Sequence, residues 1–415
     1  MTNSNFKNME INYFDQINRN YPQDKEYLKW LNVKLDRNIY FYGPNFRFAQ
    51  DKKPSKSFRE LIKKTYRYFQ GKRVSYDNAF ICDAYFNVGK HIKKQGYNVL
   101  LPPWVIPALS SEAMKTSEML SIWSQTDFNI LLSNEFKERV YNLKEELKIF
   151  FKKNHTPFVL FANGEQPLYR IAMDACKEIG VPTGVFLHGL PARYNINDNY
   201  YPDYLFVWGE KIKLNFEKIY NTTKIIVAGH PYFSQYEKQR NIGDSVVVLT
   251  QAINFSGCAR DYLLSDAGST IQYVYAVERV LKALGYKKAI LRPHPSESND
   301  WYRERMDINF YSLDVAPLDQ TLTNAKFFVG PISTVVLNAV YSDIPYFVYI
   351  VDPTTNRFSW PTVPPFTADT NMPVSHTEEE LLENIKLGKS VKKEHFNGYI
   401  DPQFNVSAIT NLANK

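Results

Sequence analysis

A chain of 415 residues exceeds what one ordinary hydrophobic core organises, so two domains are expected. Hydrophobic residues make up 44% of the chain and aromatic residues 15%, which excludes a mainly disordered protein. The net charge of +7 suits anionic substrates or an anionic membrane surface, but it requires neither.

Cysteine usage and hydropathy point to the cytoplasm. The cysteines Cys82, Cys176 and Cys258 lie far apart and lack metal-ligand spacing, as is typical of reduced thiols in a cytosolic protein. No stretch is apolar over the length of a membrane-spanning helix, and the polar first residues show no signal-peptide core. We therefore expect a cytoplasmic protein.

The first part of the chain carries few clear patterns. Short strands are predicted at residues 38–41, 79–82 and 98–101, and a charged amphipathic helix at residues 135–153. Residues 52–73 are basic, with apolar side chains at helical spacing. We interpret this segment as a surface helix packed on the core. The alternative is a lipid-facing helix, which would make the protein peripheral on the inner face of the inner membrane.

From residue 157 onward, strands and helices alternate. Strands are predicted at residues 157–161, 183–187, 204–208, 225–228, 246–250, 289–291, 326–329 and 346–350. Helices are predicted at residues 168–179, 209–220, 270–284, 318–325, 335–341 and 378–387. This alternation predicts an α/β fold with parallel sheets covered on both faces. A polar linker at residues 237–244 divides the chain into domains at 1–240 and 241–390, followed by a tail at 391–415 with a helix that packs back towards the first domain.

One short stretch combines a strand with a rigid polar corner. Residues 289–291 run into Arg292-Pro293-His294-Pro295, and Ser296 follows. The two prolines fix the backbone on either side of His294. Ligands of open α/β sheets bind beyond the carboxyl ends of the strands, where Arg292 and His294 can meet an anionic group. The alternative is a proline-rich turn with a surface histidine.

A second strand-to-helix corner offers Ser333 and Thr334. Backbone N–H groups at a helix start favour a phosphate, although a Ser-Thr pair there can also be a simple N-cap. Together the two corners predict a nucleotide-phosphate site, to which Thr250 and Gln251 are added at the end of another predicted strand.

Other chemistries lack their motifs. No Gly-x-Gly-x-x-Gly follows a strand, no P-loop is present and no Asp-x-Asp follows a strand. Residues 52–73 alone do not make a nucleic-acid-binding module. We therefore expect no metal, no other cofactor and no nucleic-acid partner.

Several segments resemble a known group of enzymes. PLDQTLTNAKFFVGPISTVVLNAVYSDIPYFVYI, from Pro317 to Ile350, resembles the donor-binding part of GT-B glycosyltransferases. RPHP and IST resemble the His-Pro and Ser-Ser/Thr motifs of bacterial sialyltransferases and Kdo transferases, which use CMP-activated sugars. CDP-glycerol and CDP-ribitol polymerases carry a similar His-Pro. GVFLHGLPARY, PDYLFVWGE and IIVAGHPYF resemble capsule and surface-polysaccharide transferases. The resemblance covers about residues 157–350.

The resemblance implies a GT-B fold, with two Rossmann-like parallel α/β domains facing each other across a cleft. The first domain would bind the acceptor and the second the nucleotide-sugar donor. The favoured reaction is a metal-independent, inverting transfer of sialic acid or Kdo from a CMP donor to a bacterial surface glycan or glycolipid. The alternatives are polyol-phosphate transfer from CDP-glycerol or CDP-ribitol, a UDP- or GDP-sugar donor, and a non-catalytic sugar-nucleotide binder.

The resemblance also implies roles for single residues in donor binding. His294 would contact the donor phosphate and stabilise or protonate the leaving nucleotide, and Pro295 would fix its position. Ser333 and Thr334 would bind the phosphate. Many GT-B proteins place a carboxylate where Asn338 stands, and its absence argues against a UDP- or GDP-hexose donor.

The residue that acts as general base is left open, with two candidates. The acidic triplet of sialyltransferases has no clear copy in this chain. Its place after a strand is taken by Leu187-His188-Gly189, which makes His188 the first candidate for the base. Glu165, in Asn-Gly-Glu-Gln, is the other candidate.

Overall fold

The computed structural model describes residues 24, 26–31, 78–120, 128–164, 166–189, 202–217, 222–233, 243–250, 267–294, 297, 299–331, 333–350 and 372–414. The predicted strand at 38–41, the basic segment at 52–73 and most of the predicted linker lie outside these residues. So do four candidate site residues: Glu165, Gln251, Pro295 and Ser296.

The first half of the described chain forms a parallel six-stranded sheet in the order β2-β1-β3-β4-β5-β6. Its strands are β1 (Ala79–Cys82), β2 (Asn98–Leu100), β3 (Val159–Phe161), β4 (Thr183–Phe186), β5 (Tyr204–Val207) and β6 (Lys224–Val227). Strands β1, β3 and β4 are buried at every position, which explains their continuous apolar sequences. The chain leaves β1 towards β2 and then returns to the other side of β1 as β3. The strands are parallel, but the direction in which successive strands are added to the sheet reverses between β1 and β3.

The second half forms another parallel six-stranded sheet, in the order β12-β11-β10-β7-β8-β9. Its strands are β7 (Ser245–Leu249), β8 (Ala289–Arg292), β9 (Tyr311–Leu313), β10 (Ala325–Gly330), β11 (Tyr346–Tyr349) and β12 (Val374–Ser375). This sheet reverses between β7 and β10. Two parallel sheets with helical connections confirm the predicted fold class. The short edge strands β9 and β12 were not predicted.

Helices connect the strands. They are α1 (Val88–Lys94), α2 (Ser111–Leu120), α3 (Phe128–Leu131), α4 (Asn134–Lys153), α5 (Pro167–Glu178), α6 (Glu210–Glu217), α7 (Ala267–Ala283), α8 (Asn299–Arg303), α9 (Leu318–Asn324), α10 (Val335–Tyr341), α11 (Glu378–Lys386) and α12 (Ser407–Thr410). In the described part of the chain, none of these helices is both long and apolar enough to cross a membrane.

The C-terminal tail lies against the first sheet. The backbone N–H of Asp401 donates to the Trp208 carbonyl at 2.7 Å, and that of Asn405 donates to the Ala228 carbonyl at 2.8 Å. The Phe404 ring packs edge-on against Phe186, with centroids 6.1 Å apart. These contacts hold the tail against the loops that follow β5 and β6.

Helix α11 begins with a capping box that allows a simple stability prediction. The Thr377 hydroxyl accepts from the Glu380 backbone N–H at 3.2 Å, and the Glu380 carboxylate accepts from the Thr377 N–H at 3.3 Å. We expect Thr377→Ala to lower the free energy of unfolding by about 1 kcal/mol, because one helix N–H loses its partner. Denaturant titration measures this loss. Thr377→Ser keeps the hydroxyl and should unfold like the wild type; an equal loss in both variants would show that the cap is not the cause.

Candidate functional site

Three neighbouring strands of the second sheet end in polar side chains. Thr250 follows β7, His294 lies just beyond β8, and Ser333 and Thr334 follow β10. Strands β10, β7 and β8 are adjacent, and the sheet reverses between the first two. The carboxyl edge at such a reversal is where α/β sheets bind ligands. The structure therefore brings these four predicted site residues to one edge.

The corner at His294 is held by a buried carboxylate. The His294 backbone N–H donates to Glu297 Oε2 at 2.8 Å and to Thr250 Oγ1 at 3.1 Å. The Thr250 hydroxyl donates to the same carboxylate, and the Glu297 N–H donates to the His294 carbonyl at 2.8 Å. Only 5% of Glu297 is exposed. The sequence analysis missed Glu297. The sequence feature that could have indicated Glu297 is an acidic residue three positions after the histidine of a polar turn.

The His294 side chain is accessible to solvent, although protein surrounds it on most sides. Desolvation by this surrounding protein lowers the pKa of His294 below its usual range. The imidazole is therefore neutral near pH 7. A neutral ring can donate a hydrogen bond to an anion.

Arg292 is occupied by the protein itself. Its Nη1 donates to Asp314 Oδ2 at 2.8 Å, to the Ala316 carbonyl at 2.8 Å and to Thr321 Oγ1 at 2.9 Å. These contacts of Nη1 connect β8 to the segment after β9.

The loop after β10 is anchored beneath Ser333 and Thr334. The Tyr346 hydroxyl donates to the Pro331 carbonyl at 2.7 Å. A Cβ on Gly330 would lie 2.2 Å from that hydroxyl oxygen, so only glycine fits where β10 ends. Ser333 Oγ accepts from the Val335 N–H at 3.3 Å, which makes it a local cap as well as a hydroxyl at the edge.

The loop after β4 in the first half reaches this edge. A Cβ on Gly189 would lie 3.3 Å from Thr334 Oγ1, so the His188-Gly189 loop is in contact with the second half. His188 is exposed, and its ring lies beside Tyr85, with centroids 5.2 Å apart. The Trp208 indole N–H donates to the Leu187 carbonyl at 2.8 Å and fixes the loop from below. The carboxyl edges of both sheets therefore meet at His188 and Thr334.

A carboxylate that the sequence analysis missed lies where the first sheet reverses. Asp83 directly follows β1. Its Oδ1 accepts from the Ala162 N–H, just after β3, at 2.9 Å, and its Oδ2 accepts from the Tyr169 hydroxyl at 2.8 Å. Burial raises the pKa of Asp83 to about 6. The available signal was an acid immediately after a buried strand.

The loop after Asp83 is strained. Phe86 and Asn87 both have positive φ, 60° and 56°, which costs about 1–3 kcal/mol each for residues other than glycine. The Phe86 ring packs on the buried His230, with centroids 4.3 Å apart. Burial lowers the pKa of His230 to about 3, and its Nδ1 accepts from the Tyr232 and Phe233 backbones. His230 is thus a neutral packing residue that holds the loop in place.

Among the described residues, no group of three or more His, Cys, Asp or Glu side chains could hold a metal ion.

No protein-family model and no curated protein matches this chain significantly. Several solved structures are similar in chain architecture. UDP-GlcNAc 2-epimerase from Neisseria meningitidis, bound to UDP-GlcNAc, has 14% identity and a TM-score of 0.48, and the match covers 81% of this chain and 97% of that one. A variant of the wall teichoic acid polymerase TagF has 11% identity, a TM-score of 0.44 and coverage of 86% and 96%. MurG from Acinetobacter baumannii has 9% identity, a TM-score of 0.39 and coverage of 81% and 93%.

Proposed function

We propose that the protein is a glycosyltransferase that moves a sugar from a nucleotide donor to an acceptor hydroxyl. The observation that carries this proposal is the closeness of Gly189 to Thr334, where the carboxyl edges of the two sheets meet: a Cβ added to Gly189 would lie 3.3 Å from Thr334 Oγ1. A two-substrate transfer needs one edge for each substrate and a junction between them. It also needs donors for the charge that develops on the leaving phosphate.

In this proposal, the donor phosphate binds at the carboxyl edge of the second sheet. The hydroxyls of Ser333 and Thr334 and the neutral ring of His294 are hydrogen-bond donors around one strand reversal. Glu297 and Thr250 hold the histidine corner in position. We propose that these neutral donors take up the leaving charge without a metal ion. The fixed corner lowers the reorganisation needed during the reaction.

The finer assignment rests on the sequence motifs. Arg-Pro-His-Pro and Ile-Ser-Thr favour a CMP-linked sugar, sialic acid or Kdo, moved with inversion to a bacterial surface glycan or glycolipid. Polyol-phosphate transfer from CDP-glycerol or CDP-ribitol is the second candidate. The exposed His188 favours it, because this histidine directly precedes Gly189, which adjoins Thr334, and can serve as a base near the phosphate. We place the reaction in the cytoplasm; contact with a membrane depends on residues 52–73.

Release of nucleotide from CMP-sialic acid, CMP-Kdo, CDP-glycerol and UDP-GlcNAc tests the proposal directly. We expect one of the cytidine donors to be consumed. His294→Ala should lower turnover about 100-fold, the usual cost of removing one preorganised donor to a developing charge. His155→Asn is the matched control. His155 is exposed in the turn that precedes β3, at the amino edge of the first sheet and away from the carboxyl edges of both sheets. Unchanged turnover in His294→Ala would contradict the site, and so would an equal loss in His155→Asn.

A further inference from the structure

The edge of the first sheet contains a cluster that the proposed function leaves unused. The loops after β1, β2 and β3 converge there. Asp83 and Tyr85 follow β1, Trp104 follows β2, and Ala162 follows β3. Asp83 joins the first and third of these loops through its hydrogen bond to the Ala162 N–H at 2.9 Å. A carboxylate therefore lies at the point where ligands of such sheets bind.

Aromatic side chains surround this carboxylate. The Tyr169 hydroxyl donates to Asp83 Oδ2 at 2.8 Å, and the Trp104 ring lies 5.8 Å from the Tyr169 ring, centroid to centroid. Trp104 is only partly buried, and 48% of Tyr85 is exposed. Tyr85 in turn adjoins His188, next to the junction with Thr334. Large partly exposed rings beside a polar group are typical of small-molecule sites, in which flat apolar surfaces meet a few placed polar atoms.

Given the proposed function, we propose that this edge is the acceptor subsite for a sugar ring. Asp83 takes the proton of the attacking hydroxyl, and Trp104 and Tyr85 contact the apolar face of the ring. In the transfer, the acceptor oxygen forms a bond to the anomeric carbon of the donor while its proton moves to the Asp83 carboxylate. The bond from that carbon to the phosphate oxygen breaks, and the nucleotide leaves with the electron pair.

The surroundings of Asp83 suit a base near neutral pH. Its raised pKa of about 6 makes the carboxylate a stronger base than an exposed aspartate, and the deprotonated form still dominates at pH 7. The neighbouring Tyr85, Tyr169 and Cys82 stay uncharged in this range, because burial raises the pKa of each. The turnover rate should therefore rise with pH through about 6 and then level off. Histidines titrate in the same range, so His188 must be tested separately.

The experiment uses the full chain, the donor consumed in the assay above, p-nitrophenyl glycosides as ring acceptors and glycerol as the acceptor without a ring. Asp83→Asn should lower transfer at least 100-fold at pH 8 and remove the rise of rate near pH 6, while the affinity for CMP stays within about twofold. His188→Ala should keep the rise of rate near pH 6. Trp104→Ala should raise the KM for the glycosides about tenfold and leave glycerol unaffected, and Trp104→Phe should recover most of this loss.

Asp83→Asn also has a folding control. The asparagine Oδ1 can accept from the Ala162 N–H, and its amide N–H can donate to the Tyr169 hydroxyl oxygen. The variant also removes a buried charge, so its melting temperature at pH 8 should equal or exceed that of the wild type. Asp83→Asn with wild-type turnover, or loss of the pH dependence in His188→Ala, would overturn the assignment of Asp83. An equal effect of Trp104→Ala on glycerol would overturn the ring contact. A wild-type protein that consumes no donor would overturn the proposed function and this inference together.

Discussion

Gly229→Ala should lower the free energy of unfolding by more than about 3 kcal/mol. About 1 kcal/mol of this loss comes from holding alanine in a left-handed backbone conformation, and the rest comes from displacing the C-terminal tail. Gly229 has a φ of +71°, and a Cβ there would lie 2.0 Å from the Gln403 carbonyl oxygen. That oxygen belongs to the backbone and cannot rotate away. The second residue after β6 must therefore be glycine for residues 398–405 to reach the first sheet.

Gly180→Ala is the matched control for this prediction. Gly180 has nearly the same φ, +73°, but a Cβ there would meet nothing within 4 Å. Gly180→Ala should lower the free energy of unfolding by about 1 kcal/mol, which is the cost of the left-handed backbone conformation for alanine alone. Denaturant unfolding of both variants gives the difference. Equal losses would mean that the tail does not press on Gly229, and the packing described for the tail would be wrong.

Gly189→Leu should abolish transfer, with a loss of at least 100-fold, while the fold survives. A Cβ added at this position would lie 3.3 Å from Thr334 Oγ1, so a longer side chain should press on the edge of the second sheet and displace it. Displacements of about 1 Å at a reaction centre cost about this much. The loop after β4 and the loop after β10 are both partly exposed, so the melting temperature should change little.

A graded series makes this test specific. Gly189→Ala adds one carbon at the limit of contact and should lose far less activity than Gly189→Leu. Gly164→Ala is the control on the same edge, because its Cβ would find 3.7 Å to the nearest atom, on Met173. Steady-state transfer and melting temperatures are measured for all three. Full activity in Gly189→Leu would show that the junction is not part of the site.

Local patterns were enough to predict the alternation of strands and helices in the second half of the chain. Buried parallel strands are continuous apolar runs, and a strand such as β10 is recognisable from its own residues. The same reasoning placed His294, Ser333 and Thr334 at strand ends. Their adjacency follows from sheet order, which depends on contacts between distant segments.

The surroundings of three residues depend on partners in distant segments of the chain. Arg292 resembles a free cation in the sequence, but Asp314, far along the chain, pairs with it in the structure. Glu297 resembles a surface acid until the Thr250 hydroxyl and the His294 N–H are seen to point at it. Asp83 became a candidate only when its position at the reversal of the first sheet was known. Local propensity contains none of this information.

Calorimetric titration of cytidine and uridine nucleotides tests the central claim, that both sheet edges form one site with the phosphate at the second. We expect a cytidine nucleotide to bind the wild type. Thr334→Val should bind it about tenfold more weakly, because a hydroxyl donor to a charged group is lost. Asp83→Asn should bind it with unchanged affinity, since Asp83 acts on the acceptor. Unchanged affinity in Thr334→Val, or loss of nucleotide binding in Asp83→Asn, would contradict the account.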